Sequence, residues 1–271
     1  MNNRQPYCVI FVCLCLFALR LAAQEWNGWW ASSKNLSDGA PTVKAIAFTI
    51  RATGTSTANT STLGGSYATA AMAGLSTNAL LIACVVNSGT AAQGTTVIPT
   101  FAGAGLGAWT RIATTNAPTV RATLFYNSGT PTLGSTASAA FGNSGFVITG
   151  CAIVIGEYRY AATNGTAGSG AIIQSLAKTN TTQNPLITLT NIWASGSNAV
   201  CGCFGKPTSP YGGTVDANWV EDYDAGWASP TMGVYVQHRL ATTQAAVSNT
   251  TAGAANWAGV AVEIGQGDLM Q

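Results

Sequence analysis

Few side chains in this 271-residue chain have the means to do chemistry. His238 is its only imidazole, in the run Val234-Tyr235-Val236-Gln237-His238-Arg239, where alternation places it near a strand end. A serine triad needs that ring oriented by an acid and set beside an activated hydroxyl. The chain has no Gly-x-Ser-x-Gly elbow, so a surface or capped strand-end histidine is expected and no catalytic residue is assigned. Asp216, Glu221, Asp222 and Asp224 are four of the nine carboxylates. On a regular strand Asp222 and Asp224 share one face and Glu221 takes the other. Such a group suits a calcium site, which takes six to eight oxygens, or a carboxylate pair for glycoside hydrolysis. The plainer reading is a solvated outer strand whose charge blocks edge pairing. No metal residue is assigned, and calcium is the only cofactor the pattern brings into view.

Tryptophan offers a different chemistry. Trp109, Trp219 and Trp257 occupy matching places in strand-like runs and are expected in the core. Trp193, between strands, and Trp227, beside the acidic group, are candidates for an exposed indole that stacks on sugar, with Asp222 and Asp224 as polar neighbours. Trp26, Trp29 and Trp30 cluster in a polar arm, residues 24–45. That arm either adds to a neighbouring subunit's sheet or folds back on its own domain. Of seven cysteines, Cys84, Cys151, Cys201 and Cys203 lie in apolar strand-like runs. Four buried small apolar side chains are expected, with one bridge between neighbouring strands as the alternative. Cys201 and Cys203, two apart on a strand, bond poorly to each other, and a lone C-x-C is weak evidence for zinc. The Asn-x-Ser/Thr sequons at Asn35, Asn59, Asn164, Asn180 and Asn249 indicate exposure more than glycosylation.

The elements that carry these residues read as strands. Apolar runs of roughly 5–10 residues, rich in β-branched side chains, recur between Gly, Ser, Asn and Thr boundaries. No segment keeps helical apolar spacing through three turns, so about ten strands and no substantial helix are expected. The order of the runs also repeats. Asn78-Ala79-Leu80-Leu81-Ile82-Ala83 resembles Asn198-Ala199-Val200-Cys201-Gly202-Cys203, an offset of 120. A Trp strand follows each, at Trp109 and Trp219; then an aromatic strand, and last a long apolar strand ending in Glu157 or Glu263. The offset drifts to 106 at the last of these, the mark of a degenerate duplication. Neither half buries its apolar face alone, so both should share one interior. The expected fold is all-β: a single jelly-roll-like β-sandwich over 46–265, built from two similar half-sets of strands.

These motifs, an N-A-L-L-I-A type strand, a W-T strand, an aromatic strand and a closing apolar strand, then the set again, carry a resemblance. From about Phe48 to Gly265 the chain resembles a family of jelly-roll sandwich domains found in phage virion proteins and secreted bacterial surface proteins. It departs from the family at the first Trp strand, where Gly107-Ala108-Trp109 lacks the usual Pro, and Trp219 lacks both Pro and Gly. The resemblance implies a display, adhesion or virion-surface module and no catalytic residues.

Residues 1–23 read as a secretory signal: Arg4, a 12-residue apolar stretch from Cys8 to Leu19, then Leu21-Ala22-Ala23 before Gln24. Spanning a membrane takes about 20 apolar residues, and Arg20 interrupts the run, so no membrane span is expected after cleavage. Losing Arg4 and Arg20 from 11 basic residues leaves nine against nine acidic ones, a neutral mature chain. With only 7% charged residues and no basic run, the composition argues against nucleic acid as a partner, and none is expected. The sequence thus points to a secreted, non-enzymatic structural or adhesive β-sandwich on a cell or virion surface, whose partner is itself or a surface glycan. A carbohydrate-binding module, a phage tail-associated protein and a glycoside hydrolase are the alternatives. Residues 266–271 read as a short tail.

Overall fold

Strand-forming runs become strands wherever the computed structural model describes the chain: residues 44–56, 65–72, 76–77, 79–89, 97–106, 108–142, 148–190, 197–228, 231–251 and 256–267. The signal, the 24–45 arm up to residue 43 with Trp26, Trp29 and Trp30, and Trp193 lie outside these residues, as does the side chain of Trp227. Sixteen strands and one short 3-10 helix, Thr166–Ala171, are described. The first eight are β1 (Ala47–Ser56), β2 (Ser66–Ala68), β3 (Ala79–Gly89), β4 (Thr100–Gly103), β5 (Thr110–Ala117), β6 (Val120–Gly129), β7 (Ala137–Ala140) and β8 (Ile148–Arg159). The second eight are β9 (Ile172–Asn180), β10 (Leu186–Thr188), β11 (Ala199–Lys206), β12 (Gly213–Val215), β13 (Val220–Ala228), β14 (Thr231–Arg239), β15 (Ala246–Thr251) and β16 (Trp257–Ile264).

The duplication is complete at the level of topology. The first set forms an antiparallel sheet β1-β8-β3-β6-β5 and a smaller one β2-β7-β4. The second set forms β9-β16-β11-β14-β13 and β10-β15-β12, the same two orders with eight added to each strand number. The all-β sandwich built from two similar strand sets therefore stands. The layering differs from a single two-sheet sandwich, because each set carries its own pair of sheets. Leu81, Val85, Phe125 and Ile153 meet Tyr67, Phe101 and Ala139 in one outer core. Val200, Phe204 and Tyr235 meet Ile187 and Val247 in the other. A third core lies between the two five-stranded sheets, with Leu80, Ile82 and Val86 of the first set against Cys201, Val260 and Val262 of the second.

This stacking explains why β3, β11 and β16 are buried at every position. A strand covered on both faces has no polar side to alternate with, so it reads as a continuous apolar run. The two central sheets meet with β5 over β9, β6 over β16, β3 over β11 and β8 over β14. A half turn about a line parallel to the strands produces that arrangement. Register within each sheet fixes the equivalent residues: Leu81 lies opposite Glu157 on β8, and Val200 opposite Glu263 on β16. Leu81 and Val200 are therefore equivalent, which sets the offset on this strand at 119. The 120 expected from the sequence turns every side chain to the wrong face.

With the offset corrected, Cys84 and Cys203 occupy the same place in the two halves, and they are joined. Their disulfide crosses the central core between β3 and β11, with Cα atoms 5.9 Å apart. This corrects the expectation of four simple buried thiols, and the bridge joins two sheets instead of neighbouring strands. Cys151 and Cys201 do remain free and buried. Two residues further along, equivalent positions hold Val86 and Gly205. A Cβ on Gly205 would come within 2.5 Å of Val86 Cγ1 and 2.8 Å of Val120 Cγ2. Gly205→Ala is accordingly expected to lower stability by about 1–3 kcal/mol through overpacking, measured by chemical denaturation.

Candidate functional site

The acidic segment lies on β13, an edge strand, but a β-bulge reorganises it. Register shifts between Glu221 and Tyr223, in the same place as the shift between Arg111 and Ala113 on β5. The bulge removes the strict alternation assumed from sequence. Asp222 turns toward the central core, while Glu221 and Asp224 turn toward the outer one. The expectation that Asp222 and Asp224 share a face is thus corrected. They cannot form a joint calcium site or a paired-carboxylate centre.

Asp222 Oδ1 lies 2.6 Å from His238 Nδ1, and both side chains are under a tenth exposed. The histidine is therefore a buried partner in a hydrogen-bonded pair, not a surface residue. Phe48 packs against its ring at a tilt of 34°, with centroids 4.2 Å apart. Burial raises the Asp222 carboxyl above its ordinary range, while the bond to His238 pulls it down and Glu221 adds to the rise. On the other side of His238, Cys201 is its direct cross-strand neighbour on β11. Cysteine, histidine and aspartate thus sit in a row on three adjacent strands, the order of a nucleophile, base and orienting acid. The chemistry does not follow. Burial pushes the Cys201 thiol up to about 12, so the reactive thiolate is not formed near neutral pH. The gap that Cys201 and Tyr158 help line holds about 10 Å3, room for one water and no substrate.

Equivalence between the halves shows how this pair arose. His238 occupies the place of Tyr126, and Asp222 the bulge place of Ile112. Tyr126 and Ile112 pack against the same central core as apolar groups. One half keeps an apolar pair where the other has a hydrogen-bonded polar pair. Sequence reading missed this because aligning the aromatic strands one residue out hid the match of Tyr126 with His238.

The outer face of β13 serves the fold as well. Asp224 Oδ2 accepts the Gly213 backbone N–H at 3.1 Å, and burial raises its carboxyl. Lys206, 3% exposed, holds its ammonium 4.9 Å from the Tyr211 ring centroid; burial lowers its pKa and Asp224 opposes that. Tyr211 stacks on Tyr235 and donates to Asn249 Oδ1 at 3.2 Å. Asn249 is 1% exposed, so this sequon does not mark a surface site; Asn164 and Asn180 are exposed. Glu221, itself exposed, accepts from Tyr235 Oη at 3.4 Å, and Ser248 donates to Asp216. Trp109, Trp219 and Trp257 are buried, as expected of core residues.

The two closing glutamates are equivalent and fully buried. Glu157 accepts from Arg51 Nε at 2.7 Å and from Ser76 N–H at 3.3 Å. Glu263 accepts from Gln174 Nε2 at 2.6 Å and Asn198 Nδ2 at 2.7 Å. Burial works to raise the Glu157 carboxyl, but Arg51 and Ser76 together hold it below its ordinary value. A carboxylate depressed in the folded state stabilises the fold above its unfolded pKa of about 4.3, and loses that contribution as pH falls through the lower folded value. Glu157→Gln is therefore expected to be less stable than the parent at pH 6–7, with the gap narrowing below roughly pH 4. Thermal melts of both proteins across that range check it.

Among the described residues no group of three or more His, Cys, Asp or Glu is placed to hold a metal ion, and no helix is long and apolar enough to cross a membrane. No protein-family model and no curated protein matches the chain.

Proposed function

We propose that the chain is an exported structural β-sandwich protein, a surface or virion-type building block whose duplicated half-sets form one stapled scaffold. The observation that carries this reading is the use made of its carboxylates. Each of the six in the described residues accepts a hydrogen bond from another part of the fold: Glu157, Asp216, Glu221, Asp222, Asp224 and Glu263. In a hydrolase two of them would converge across an open cleft, about 5–9.5 Å apart; here they brace strands. The neutral mature composition adds support, since copies with little net charge repel one another weakly. The Trp-rich 24–45 arm supplies the assembling element in this proposal. Sedimentation of the secreted chain, with and without residues 24–45, tests it. Larger species that need the arm are expected, and monomers in both preparations would overturn the assembly role.

A further inference from the structure

The edge of the second half carries a cleft that the scaffold role does not use. It lies where β9 ends and turns into β10, over the start of β16, and encloses about 390 Å3, within the size range of small-ligand sites. Leu186, 42% exposed, and Trp257 supply apolar wall, and Lys178, Asn180, Thr182, Gln183 and Asn184 the polar lining. We propose that this cleft binds a saccharide, one sugar unit of a glycan chain that runs on through its open side.

Four observations support that ligand class. The first is the mixture of polar groups. Lys178, Thr182 and Asn184 spend no side-chain hydrogen bond within the described residues, which leaves an ammonium, a hydroxyl and an amide without a partner there. Asn180 uses only its amide oxygen, on Thr181 N–H at 2.7 Å, and Gln183 only its NH2, on Thr251 O at 3.0 Å. The remaining NH2 of Asn180 and oxygen of Gln183 add a donor and an acceptor. Sugar hydroxyls both donate and accept, and a set holding both kinds of group matches them. An anion site needs donors alone, and a cation site calls on carboxylates, of which this lining has none.

The second observation is the apolar wall. Leu186 is left uncovered beside polar neighbours, which suits the C–H face of a sugar ring. The third is an indole without a partner among the described residues. Trp257 is 1% exposed and its Nε1–H meets no acceptor there, so a water or a ligand hydroxyl beside it gains a hydrogen bond. The fourth is rigidity. Gln183 is tied to Thr251 twice, since the Thr251 hydroxyl also donates to Gln183 O at 2.6 Å. Thr179 Oγ1 donates to Trp257 O at 2.8 Å. A rim fixed before binding loses less entropy on taking up ligand. The cleft belongs to this half alone in its key residue, since the place of Trp257 is filled by the smaller Cys151 in the first set.

The test uses the secreted full chain on an array of neutral and acidic glycans, followed by titration calorimetry on the glycan retained most strongly. Retention of a glycan is expected, with binding at least tenfold weaker in Thr182→Ala/Asn184→Ala and lost in Leu186→Asp; all three positions are exposed, so the fold should survive, and circular dichroism verifies it. The inference is overturned if no glycan is retained, if these variants bind as the parent does, or if only polyanionic glycans bind and moderate salt releases them. None of these outcomes bears on sedimentation, so the scaffold reading stands or falls separately.

Discussion

Cys84→Ala/Cys203→Ala is expected to lower the stability of the folded chain by about 2–5 kcal/mol, a fall of roughly 5–15 °C in melting temperature for a domain of this size. The bridge closes a sequence separation of 119 residues. Loops that long lie at the upper end of the entropic stabilisation a disulfide provides, because the unfolded chain loses the most freedom. The double variant is the clean comparison. Cys201 lies two residues from Cys203 on the same face, and a single replacement leaves thiols side by side. Reduced parent protein should melt close to the double variant. Thiol counting under denaturing conditions on the chain lacking residues 1–23 should find two free thiols before reduction and four after, Cys151 and Cys201 being the two. Four before reduction, or no change in melting, would contradict the bridge.

The second large effect concerns the pair His238–Asp222. Asp222→Ile alone leaves the His238 Nδ1 unpartnered beneath Phe48. His238→Tyr alone leaves a buried carboxylate whose other oxygen, Oδ2, already has no partner among the described residues. Each single change should cost about 3 kcal/mol or more, the usual penalty for removing one member of a buried polar pair. Together the two changes install the Ile and Tyr that the first half carries at the equivalent places. The double variant is expected to be more stable than either single one, with a coupling of about 2 kcal/mol or more in a double-mutant cycle. Additive losses would show that the two side chains act independently and that the halves are not interchangeable at this point.

These outcomes also mark what could be read from sequence. Strand content, duplication and the burial of Trp109, Trp219 and Trp257 were legible, because each rests on composition and order, which survive small errors of register. The layers were not. A run such as Ala79–Gly89 signals cover on both faces only through its lack of alternation, and that signal was present but ambiguous. Three-residue strands such as β2, β10 and β12 are too short for any periodicity, which is why about ten strands were expected where sixteen are described. The acidic segment failed for a local reason. One bulge at Asp222 inverts the faces of everything after it, and nothing in Val220-Glu221-Asp222-Tyr223 announces it except the matching bulge in the other half. Cys84 and Cys203 were separable from Cys151 and Cys201 only after the true offset put them at equivalent places.

The sulfur link between β3 and β11 also decides how the molecule would respond to mechanical load. Tension applied at the two ends travels along the backbone to Cys84 and crosses directly to Cys203. Everything between them, from β4 through β10, stays slack however hard the ends are drawn apart. Only the flanking segments can lengthen, which leaves a tethered copy with a short, fixed reach until a reductant cuts the link.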